Sequence, residues 1–337
     1  MVIDFHSHLR PKRLVEALAN SNLTKIETDT SGKKIMVEKY TYIDVPQNYM
    51  SGESSVKHRI EEMNQNNLAT QVLSVPRSHD YPSNIASKLC AVINDSYHEI
   101  SQQNPDSFVA LASLPLTDID AALKELDRSI NDLELNGVVI GGNVGGVSLD
   151  DQMFWPLFEK LDELDVPVFI HPGLPPWGSQ GITKYHLGIT LGYPFDTLIS
   201  ATRIIYSGLL DQFSKISFVL SHLGDGLPFF INRLSGIFYD KGKEDPAGPI
   251  KAKKEPINYV RRFYFDTAVG DLDSYRHSLD CTIAIAGPDR VLFGTDFPWN
   301  NWQFVSGLRK SIETLGVPES TKRMILNENS KRILKIS

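Results

Sequence analysis

Cysteine is scarce in this chain of 337 residues, in which Cys90 and Cys281 are the only two. Two thiols are too few for a disulfide framework or for a zinc site built from thiolates. A bound metal ion must therefore be held by nitrogen and oxygen ligands, which histidine and the acidic residues provide.

An excess of positive charge and long apolar runs are also missing. The 34 Lys and Arg residues face 41 Asp and Glu residues, and the formal net charge is −7. This balance offers no basic stripe for nucleic acid and no basic face for a membrane surface. No run approaches the roughly 20 apolar residues of a membrane span, and residues 2–10 are too short and too polar for a signal peptide. We therefore expect a cytoplasmic protein whose partner is a small molecule rather than nucleic acid or a membrane.

Short, β-branched apolar runs alternate along the chain with longer segments of helical periodicity. Eight runs are strand candidates: 2–5, 71–75, 108–114, 137–140, 167–171, 216–222, 262–267 and 291–296. Runs that are apolar on both faces and alternate with amphipathic helices indicate a parallel sheet covered by helices. The count of eight predicts an α/β fold, a single (β/α)8 TIM barrel domain over residues 1–337. A doubly wound open sheet is the alternative, but no Gly-rich phosphate loop follows any strand candidate.

One segment interrupts this alternation. Residues 31–50 lie between the first strand and the first long helix, and they alternate apolar with polar from Ile35 to Val45. This pattern predicts a small inserted β-hairpin. An excursion after the first strand would lie over the carboxyl-terminal face of the barrel, where active sites are built. A solvent-exposed insertion with no role in function would give the same pattern.

Polar residues stand at the carboxyl-terminal ends of several strand candidates. His6 and His8 follow the first strand in DFHSH, and their spacing of two directs both side chains to one face. His171 ends the fifth candidate, His222 the sixth and Asp296 the eighth. In a closed barrel these ends converge on one rim. Three imidazoles and a carboxylate suit Zn²⁺ or another divalent first-row ion, with coordination left over for water or substrate.

These motifs resemble the amidohydrolase superfamily, specifically its amidohydrolase-2 branch, which includes aminocarboxymuconate-semialdehyde decarboxylase and related metal-dependent carboxy-lyases. The likeness rests on HxH after strand one, HP after strand five, SHxGxGLP after strand six and GTDxP after strand eight. It covers nearly the whole chain. It implies that His222 is a general acid/base beside the metal and that the metal ligands are His6, His8, His171 and Asp296.

The resemblance also bears on the number of metal ions. Many amidohydrolases hold two ions bridged by a carboxylated lysine at the end of strand four, but residues 134–148 contain no lysine. The implied cofactor is one divalent ion per chain, with Zn²⁺ expected and Mn²⁺ as the alternative. Such an ion lowers the pKa of bound water, and His222 can transfer the proton. Asp296 can bind the metal through one oxygen and contact water or substrate through the other.

A site with one metal ion can support two reactions. In the first, CO2 leaves a small unsaturated or aromatic carboxylic acid, and His222 or Asp296 delivers a proton to carbon. In the second, activated water hydrolyses a lactone or an amide. The resemblance to carboxy-lyase segments and the missing lysine favour decarboxylation. A metal-binding barrel without catalytic activity is the third possibility.

Three residues are candidates for substrate contacts. The resemblance implies that Arg233, one helical segment after His222, reaches across a dimer interface to a substrate carboxylate, so we expect a homodimer. Asn143 after strand four and Trp177 after strand five are expected to line the same mouth, and a packing or turn role is the alternative for each. A second carboxylate-binding arginine of the aminocarboxymuconate enzymes is matched here by Met50. That departure argues against this particular substrate and leaves aromatic or other unsaturated acids.

Overall fold

Eight parallel strands organise the part of the chain that the computed structural model describes, namely residues 1–21, 24–28, 34–38, 44–46, 53–173, 175, 181–182, 184–240, 244–246, 248–269 and 274–336. The strands are β1 (Ile3–His8), β2 (Thr70–Ser74), β3 (Phe108–Ala110 and Ala112–Ser113), β4 (Val138–Ile140), β5 (Pro167–Ile170), β6 (Ser217–Leu220), β7 (Tyr264–Asp266) and β8 (Val291–Leu292). Each corresponds to one strand candidate of the sequence.

Hydrogen bonding places the strands in the order of the chain. Parallel ladders join β1 to β2 and β2 to β3, and further ladders join β3 through β4, β5, β6 and β7 to β8. Individual contacts, rather than a regular ladder, join β8 and the residues after it to β1: Phe5 N to Phe293 O at 2.7 Å, Asp296 N to His6 O at 2.8 Å, and a parallel bridge between Ser7 and Phe297. This order is that of a (β/α)8 barrel, and the predicted fold class is confirmed.

Helices separate the strands and cover them. The α-helices are Lys12–Asn20, Glu53–Gln65, Ser83–Gln103, Ile119–Asp127, Trp155–Leu164, Tyr193–Tyr206, Leu209–Gln212, Leu227–Asp240, Pro256–Val260, Tyr275–Ala286, Trp302–Glu313, Glu319–Arg323 and Asn329–Leu334. Short 3₁₀ turns lie at Ser78–Asp80, Gln152–Phe154, His222–Gly224 and Pro288–Arg290, and π turns at Arg128–Asp132, Gly188–Gly192 and Met324–Glu328. Within the described ranges, none of these helices is both long enough and apolar enough to cross a bilayer.

The core has two layers, as a barrel requires. One cluster is formed largely by alternate residues of the strands and includes Phe5, Val72, Val139, Phe169 and Val219. A larger cluster packs the opposite faces of the strands against the helices. Because both faces of every strand are buried, the strands read as continuous apolar runs in the sequence.

The pairing of β1 with β2 is irregular between Asp4 and Ser7. Strict alternation would place Phe5 and His6 on opposite faces of the strand. Both rings nevertheless pack against Phe169, with centroids at 5.8 Å and 4.9 Å. The irregularity therefore turns His6 toward the barrel mouth without removing Phe5 from the core.

The segment of the predicted hairpin contains an antiparallel sheet of three strands, Thr24–Thr28, Lys34–Glu38 and Asp44–Pro46. It begins upstream of the predicted range of 31–50 and has one strand more than a hairpin. Residues 31–33, 39–43 and 47–50 of the predicted range lie outside the described residues. Its position over the barrel mouth stays a prediction.

Candidate active site

Four side chains meet where β1, β5 and β8 end. One ligand atom from each of His6, His8, His171 and Asp296 lies within 4.8 Å of all the others. His8 Nε2 is 3.1 Å from His6 Nε2 and 3.0 Å from Asp296 Oδ1. The three histidines are buried, whereas the Asp296 side chain keeps 20% of its exposure, so the cluster opens on the side of this carboxylate. The structure thus brings together the ligand set expected from the sequence.

The second nitrogen of each imidazole lies within hydrogen-bond distance of an acceptor. The pairs are His6 Nδ1 with Asp266 Oδ2 at 2.8 Å, His8 Nδ1 with Ser74 Oγ at 3.0 Å, and His171 Nδ1 with Pro172 O at 3.1 Å. Metal-binding histidines are oriented in this way, because an acceptor at one ring nitrogen leaves the other nitrogen as a ligand. The donor set and its outer partners therefore fit a divalent ion.

The pKa values of His8, His171 and Asp296 suit metal binding, which needs neutral imidazoles and an ionised carboxylate. Burial lowers the pKa of His8 to about 4 and holds the pKa of His171 well below its usual range. Burial also acts to lower the pKa of His6, but the carboxylates of Asp266 and Asp296 outweigh it and raise that pKa. Burial opposes ionisation of Asp296, yet the neighbouring histidines hold its pKa well below the usual range.

His222 stands beside this cluster and faces the same cavity. Its Nε2 lies 3.9 Å from Asp296 Oδ2, and its Nδ1 lies 3.4 Å from Asp225 Oδ2. Burial acts to lower the pKa of His222, but the carboxylates of Asp225, Asp296 and Asp266 outweigh it, and the pKa lies well above the usual range. A protonated imidazole at this place is suited to deliver a proton. Asp225 was not selected from the sequence, although its spacing of three from His222 was visible.

The turns that carry these groups have an uncommon backbone. His222, Leu223, Asp225 and Asp296 have φ values of 54°, 56°, 48° and 58°. Residues other than glycine rarely adopt this left-handed region, and a branched residue such as Leu223 does so at a cost. Strain of this kind is kept at functional sites, where the surrounding packing holds it in place.

Asp266, at the end of β7, connects the metal cluster to His222. Its Oδ2 accepts from His6, and its Oδ1 accepts from the backbone N–H of His222 at 3.0 Å and of Ala268 at 2.9 Å. The close approach needs a glycine just after β8, because a Cβ at Gly294 would lie 2.8 Å from His6 Cβ and 2.9 Å from Asp266 Cβ. Asp266 was not among the site residues expected from the sequence.

A buried polar network lies beneath the cluster and joins β1, β2 and β8. Its hydrogen bonds run from Arg59 Nε to Gln71 Oε1 at 2.6 Å, from Gln71 Nε2 to Asp4 Oδ2 at 2.9 Å, and from Thr295 Oγ1 to Asp4 Oδ2 at 2.7 Å. Arg59 also donates to His8 O at 2.6 Å. Burial raises the pKa of Asp4 to about 6, and the hydrogen bonds from Thr295 and Gln71 offset part of that effect.

A cavity of about 480 Å³ opens beside His171, His222 and Asp296. This volume is in the range of sites for small organic molecules. Its walls are mostly apolar, but Arg10 and Arg77 also line it. Neither arginine was selected from the sequence, because neither stands at the end of a strand candidate.

The predicted substrate residues are placed as follows. The Asn143 side chain donates to Asp196 Oδ1 at 2.7 Å and accepts from Gly146 N at 2.9 Å. Arg233 is exposed on the helix Leu227–Asp240 and does not line the cavity of its own chain. Trp177 lies outside the described residues. The substrate roles of these three residues stay predictions.

A three-histidine and one-aspartate cluster at the carboxyl-terminal face of a (β/α)8 barrel defines a metal-dependent barrel enzyme. A comparison with known families specifies which kind. The Amidohydro_2 amidohydrolase family matches residues 3–336, so the chain belongs to this family. The resemblance expected from the sequence is thereby confirmed.

Named relatives in this family are decarboxylases. The 2-amino-3-carboxymuconate-6-semialdehyde decarboxylase of Dictyostelium discoideum is 30% identical over 347 residues, which cover 98% of this chain and 91% of that protein. The gamma-resorcylate decarboxylase of Rhizobium sp. strain MTP-10005 is 30% identical over 292 residues, covering 82% of this chain and 86% of that protein. The crystal structure of 5-carboxyvanillate decarboxylase from Sphingomonas paucimobilis matches with a TM-score of 0.84 and 26% identity, covering 100% of this chain and 99% of that chain.

Proposed function

We propose that this protein is a metal-dependent decarboxylase that removes CO2 from a small unsaturated or aromatic carboxylic acid. The observation that carries the proposal is the pairing of a metal-binding cluster with His222, whose Nε2 lies 3.9 Å from the carboxylate of Asp296 in one cavity. Relatives named as decarboxylases cover 98% and 82% of the chain and support the same reaction.

The chain supplies the proton that this reaction consumes. When CO2 leaves, the electron pair of the broken carbon–carbon bond stays on the substrate carbon, which must take up one proton. Asp225 lies beside Nδ1 of His222, and Nε2 faces Asp296 Oδ2 at 3.9 Å, so a protonated His222 can donate on that side. That proton reaches carbon from His222 itself or through the carboxylate of Asp296. A divalent ion bound by the cluster would supply Lewis acidity toward the substrate oxygens.

The cofactor belongs to the proposal. We infer one divalent ion per chain, held by the three histidines and Asp296. Imidazole and carboxylate donors favour Zn²⁺, and Mn²⁺ is the alternative. A cytoplasmic location agrees with the small number of cysteines and the acidic charge balance.

The same residues would serve a hydrolase of lactones or amides, so one experiment must separate the two reactions. The purified protein is offered a panel of unsaturated and hydroxyaromatic carboxylic acids beside lactones and amides, with CO2 release and ring opening followed separately. We expect CO2 release. Turnover of lactones or amides without decarboxylation of any acid would show that the protein is a hydrolase and not a decarboxylase. Metal binding without turnover would identify a barrel that only binds metal.

A further inference from the structure

The carboxylate of Asp266 contacts both parts of the candidate site, one through each oxygen. Oδ2 accepts from Nδ1 of the ligand His6 at 2.8 Å. Oδ1 accepts from the backbone N–H of His222 at 3.0 Å and from that of Ala268 at 2.9 Å. The side chains of Asp266 and His6 are fully buried, so their contact is closed to bulk water. One buried group therefore lies between the metal cluster and the proton donor.

The contact through Oδ2 determines the tautomer of His6. An ionised carboxylate accepts hydrogen bonds and cannot donate one, so the ring proton of a neutral His6 lies on Nδ1. Nε2 then carries a lone pair, and this nitrogen lies on the cluster side, 3.1 Å from His8 Nε2 and 3.4 Å from Asp296 Oδ1. A metal ion needs this lone pair, because the other tautomer would present an N–H to it.

The contact through Oδ1 holds the turn that carries His222. His222 and Leu223 have φ values of 54° and 56°, in the left-handed region that residues other than glycine rarely adopt. A backbone of this kind persists only where its surroundings hold it in place. The N–H of His222 donates to Asp266, so this carboxylate fixes the backbone at the start of the turn.

We propose that Asp266 is a positioning residue that couples the metal site to the proton donor, because it keeps His6 in the ligating tautomer and holds the turn of His222. This inference rests on the proposed function. The two oxygens of a carboxylate have enough lone pairs for the three N–H groups that converge here. Any replacement must therefore give up at least one of the two roles.

An asparagine in this place would have the same shape but only one acceptor oxygen, since its other terminal atom is an NH2 donor. Without metal, the amide oxygen can face the two backbone N–H groups while the NH2 faces His6. This arrangement favours the wrong tautomer of the ring, as the exchange of a carboxylate for an amide does beside other histidines. A metal ion requires the opposite orientation, in which the NH2 opposes the N–H of His222. Binding of the ion should therefore loosen the turn in Asp266→Asn.

The affinity for Zn²⁺, measured on the full chain by competition with a chelator, tests the first role. Asp266→Asn is expected to bind Zn²⁺ roughly 10–100-fold more weakly than the wild type, the usual loss when the outer partner of a ligand is removed. Thr267→Val is the matched control, because Thr267 is the next residue, is equally buried, and exchanges hydrogen bonds of 3.0 Å with the backbone of Gly294. It should keep the affinity of the wild type.

Hydrogen exchange of the peptide that contains His222, followed by mass spectrometry with and without saturating Zn²⁺, tests the coupling. In Asp266→Asn, Zn²⁺ should speed exchange in the turn about 10-fold, the effect of losing one hydrogen bond. In the wild type and in Thr267→Val, Zn²⁺ should not speed it. A role in stability alone would not make exchange depend on the ion in this direction.

Asp266→Ala is the second variant, in case the asparagine variant does not fold by circular dichroism. It removes both acceptor oxygens, so we expect weaker Zn²⁺ binding and faster exchange at His222 with and without the ion. The proposal is overturned if the folded Asp266 variants bind Zn²⁺ as the wild type does. It is also overturned if Thr267→Val weakens Zn²⁺ binding as much, or if exchange in Asp266→Asn is the same with and without Zn²⁺.

Neither measurement needs a substrate, so this proposal and the proposed function can fail separately. Release of CO2 by the wild type, with unchanged Zn²⁺ affinity and exchange in the variants, leaves a decarboxylase and removes the role of Asp266. The expected changes in Zn²⁺ affinity and exchange, in a protein that releases CO2 from no acid, leave Asp266 as the positioning residue and remove the decarboxylase.

Discussion

At the scale of single residues, His222 and His171 line one cavity but differ in role, because only His171 belongs to the metal-binding cluster. His171 belongs to the four-residue cluster, whereas His222 is held by Asp225 at its edge. The difference lies in their surroundings. Burial and three neighbouring histidines hold the pKa of His171 well below its usual range. Burial acts against the charge of His222, but the nearby carboxylates hold the pKa of His222 well above its usual range.

Replacing His222 by Asn should reduce kcat by roughly 10²–10⁴-fold, the usual size of a general acid/base contribution. The metal content should stay at that of the wild type, because His222 is not a member of the cluster. Steady-state kinetics and metal analysis on one preparation check both statements. His277→Asn, on the exposed face of the helix Tyr275–Ala286, is the matched control. A variant that lost its metal would make His222 a ligand.

Replacing His171 by Ala should, in contrast, remove the bound metal. The wild type should contain about one divalent ion per chain, and the variant should contain almost none, because one of its four ligand side chains is gone. Circular dichroism should show a folded barrel, since residues at this rim contribute to function more than to the core. Two ions per wild-type chain, or an unchanged metal content in the variant, would contradict the single site.

At the scale of the elements, the sequence predicted more of the strands than of what connects them. Each strand candidate became a strand because runs that are apolar on both faces have few other uses. The ligands could be predicted because the carboxyl-terminal ends of the strands of a barrel converge on one rim. The role of Asp266 did not follow from this convergence, because that role depends on a contact with His6, 260 residues away. The irregularity in β1 likewise depends on packing that no local pattern records.

Asp196 joins three elements and gives a prediction about stability. It lies on the helix Tyr193–Tyr206 and accepts from Gly173 N at 2.8 Å and from Asn143 at 2.7 Å. Burial raises its pKa to about 6, and the hydrogen bonds from Gly173 and Asn143 offset part of that effect. Between about pH 4 and pH 6, Asp196 therefore keeps its proton in the folded protein, whereas the same carboxyl group has lost its proton in the unfolded chain.

The wild type should therefore gain stability relative to Asp196→Asn as the pH falls. The contribution is fully present below about pH 4 and is lost as the pH rises through about 6. From pH 7 to pH 4, the free energy of unfolding of the wild type minus that of the variant should increase by about 2–3 kcal/mol. Urea titrations with a chelator present exclude metal binding, and Asp106→Asn, at an exposed position, is the matched control. If the difference in free energy of unfolding did not change with pH, the raised pKa of Asp196 would be wrong.

At the scale of the whole molecule, the helix Leu227–Asp240 presents an exposed stripe. Phe229, Arg233 and Ile237 recur every four residues along it, and Phe229 is 75% exposed and Ile237 is 49% exposed. Exposed apolar residues that form one face of a helix are a common feature of interfaces between proteins. The stripe agrees with the predicted homodimer, in which Arg233 would serve the neighbouring site.

If Arg233 binds the partner's substrate, Arg233→Ala should raise KM at least 10-fold without unfolding the chain, since the substrate loses a charge-assisted partner. Arg276→Ala, on another exposed helix face, should leave KM unchanged. Light scattering coupled to the assay should find the active species to be a dimer. A fully active monomer would exclude this arrangement.

The contacts between β1 and the residues after β8 join the first and last strands of the barrel. His8 and Asp296 are 288 positions apart in the sequence and 3.0 Å apart in the fold. The ligand set is therefore incomplete until residue 296 has left the ribosome. Assembly of the complete four-residue site must follow synthesis of Asp296, and a nascent chain that ends before Asp296 should bind the ion more weakly than the full chain. A bound ion would link His8 to Asp296 and so close a loop of 288 positions. Closing a long loop removes more entropy from the unfolded ensemble than closing a short one.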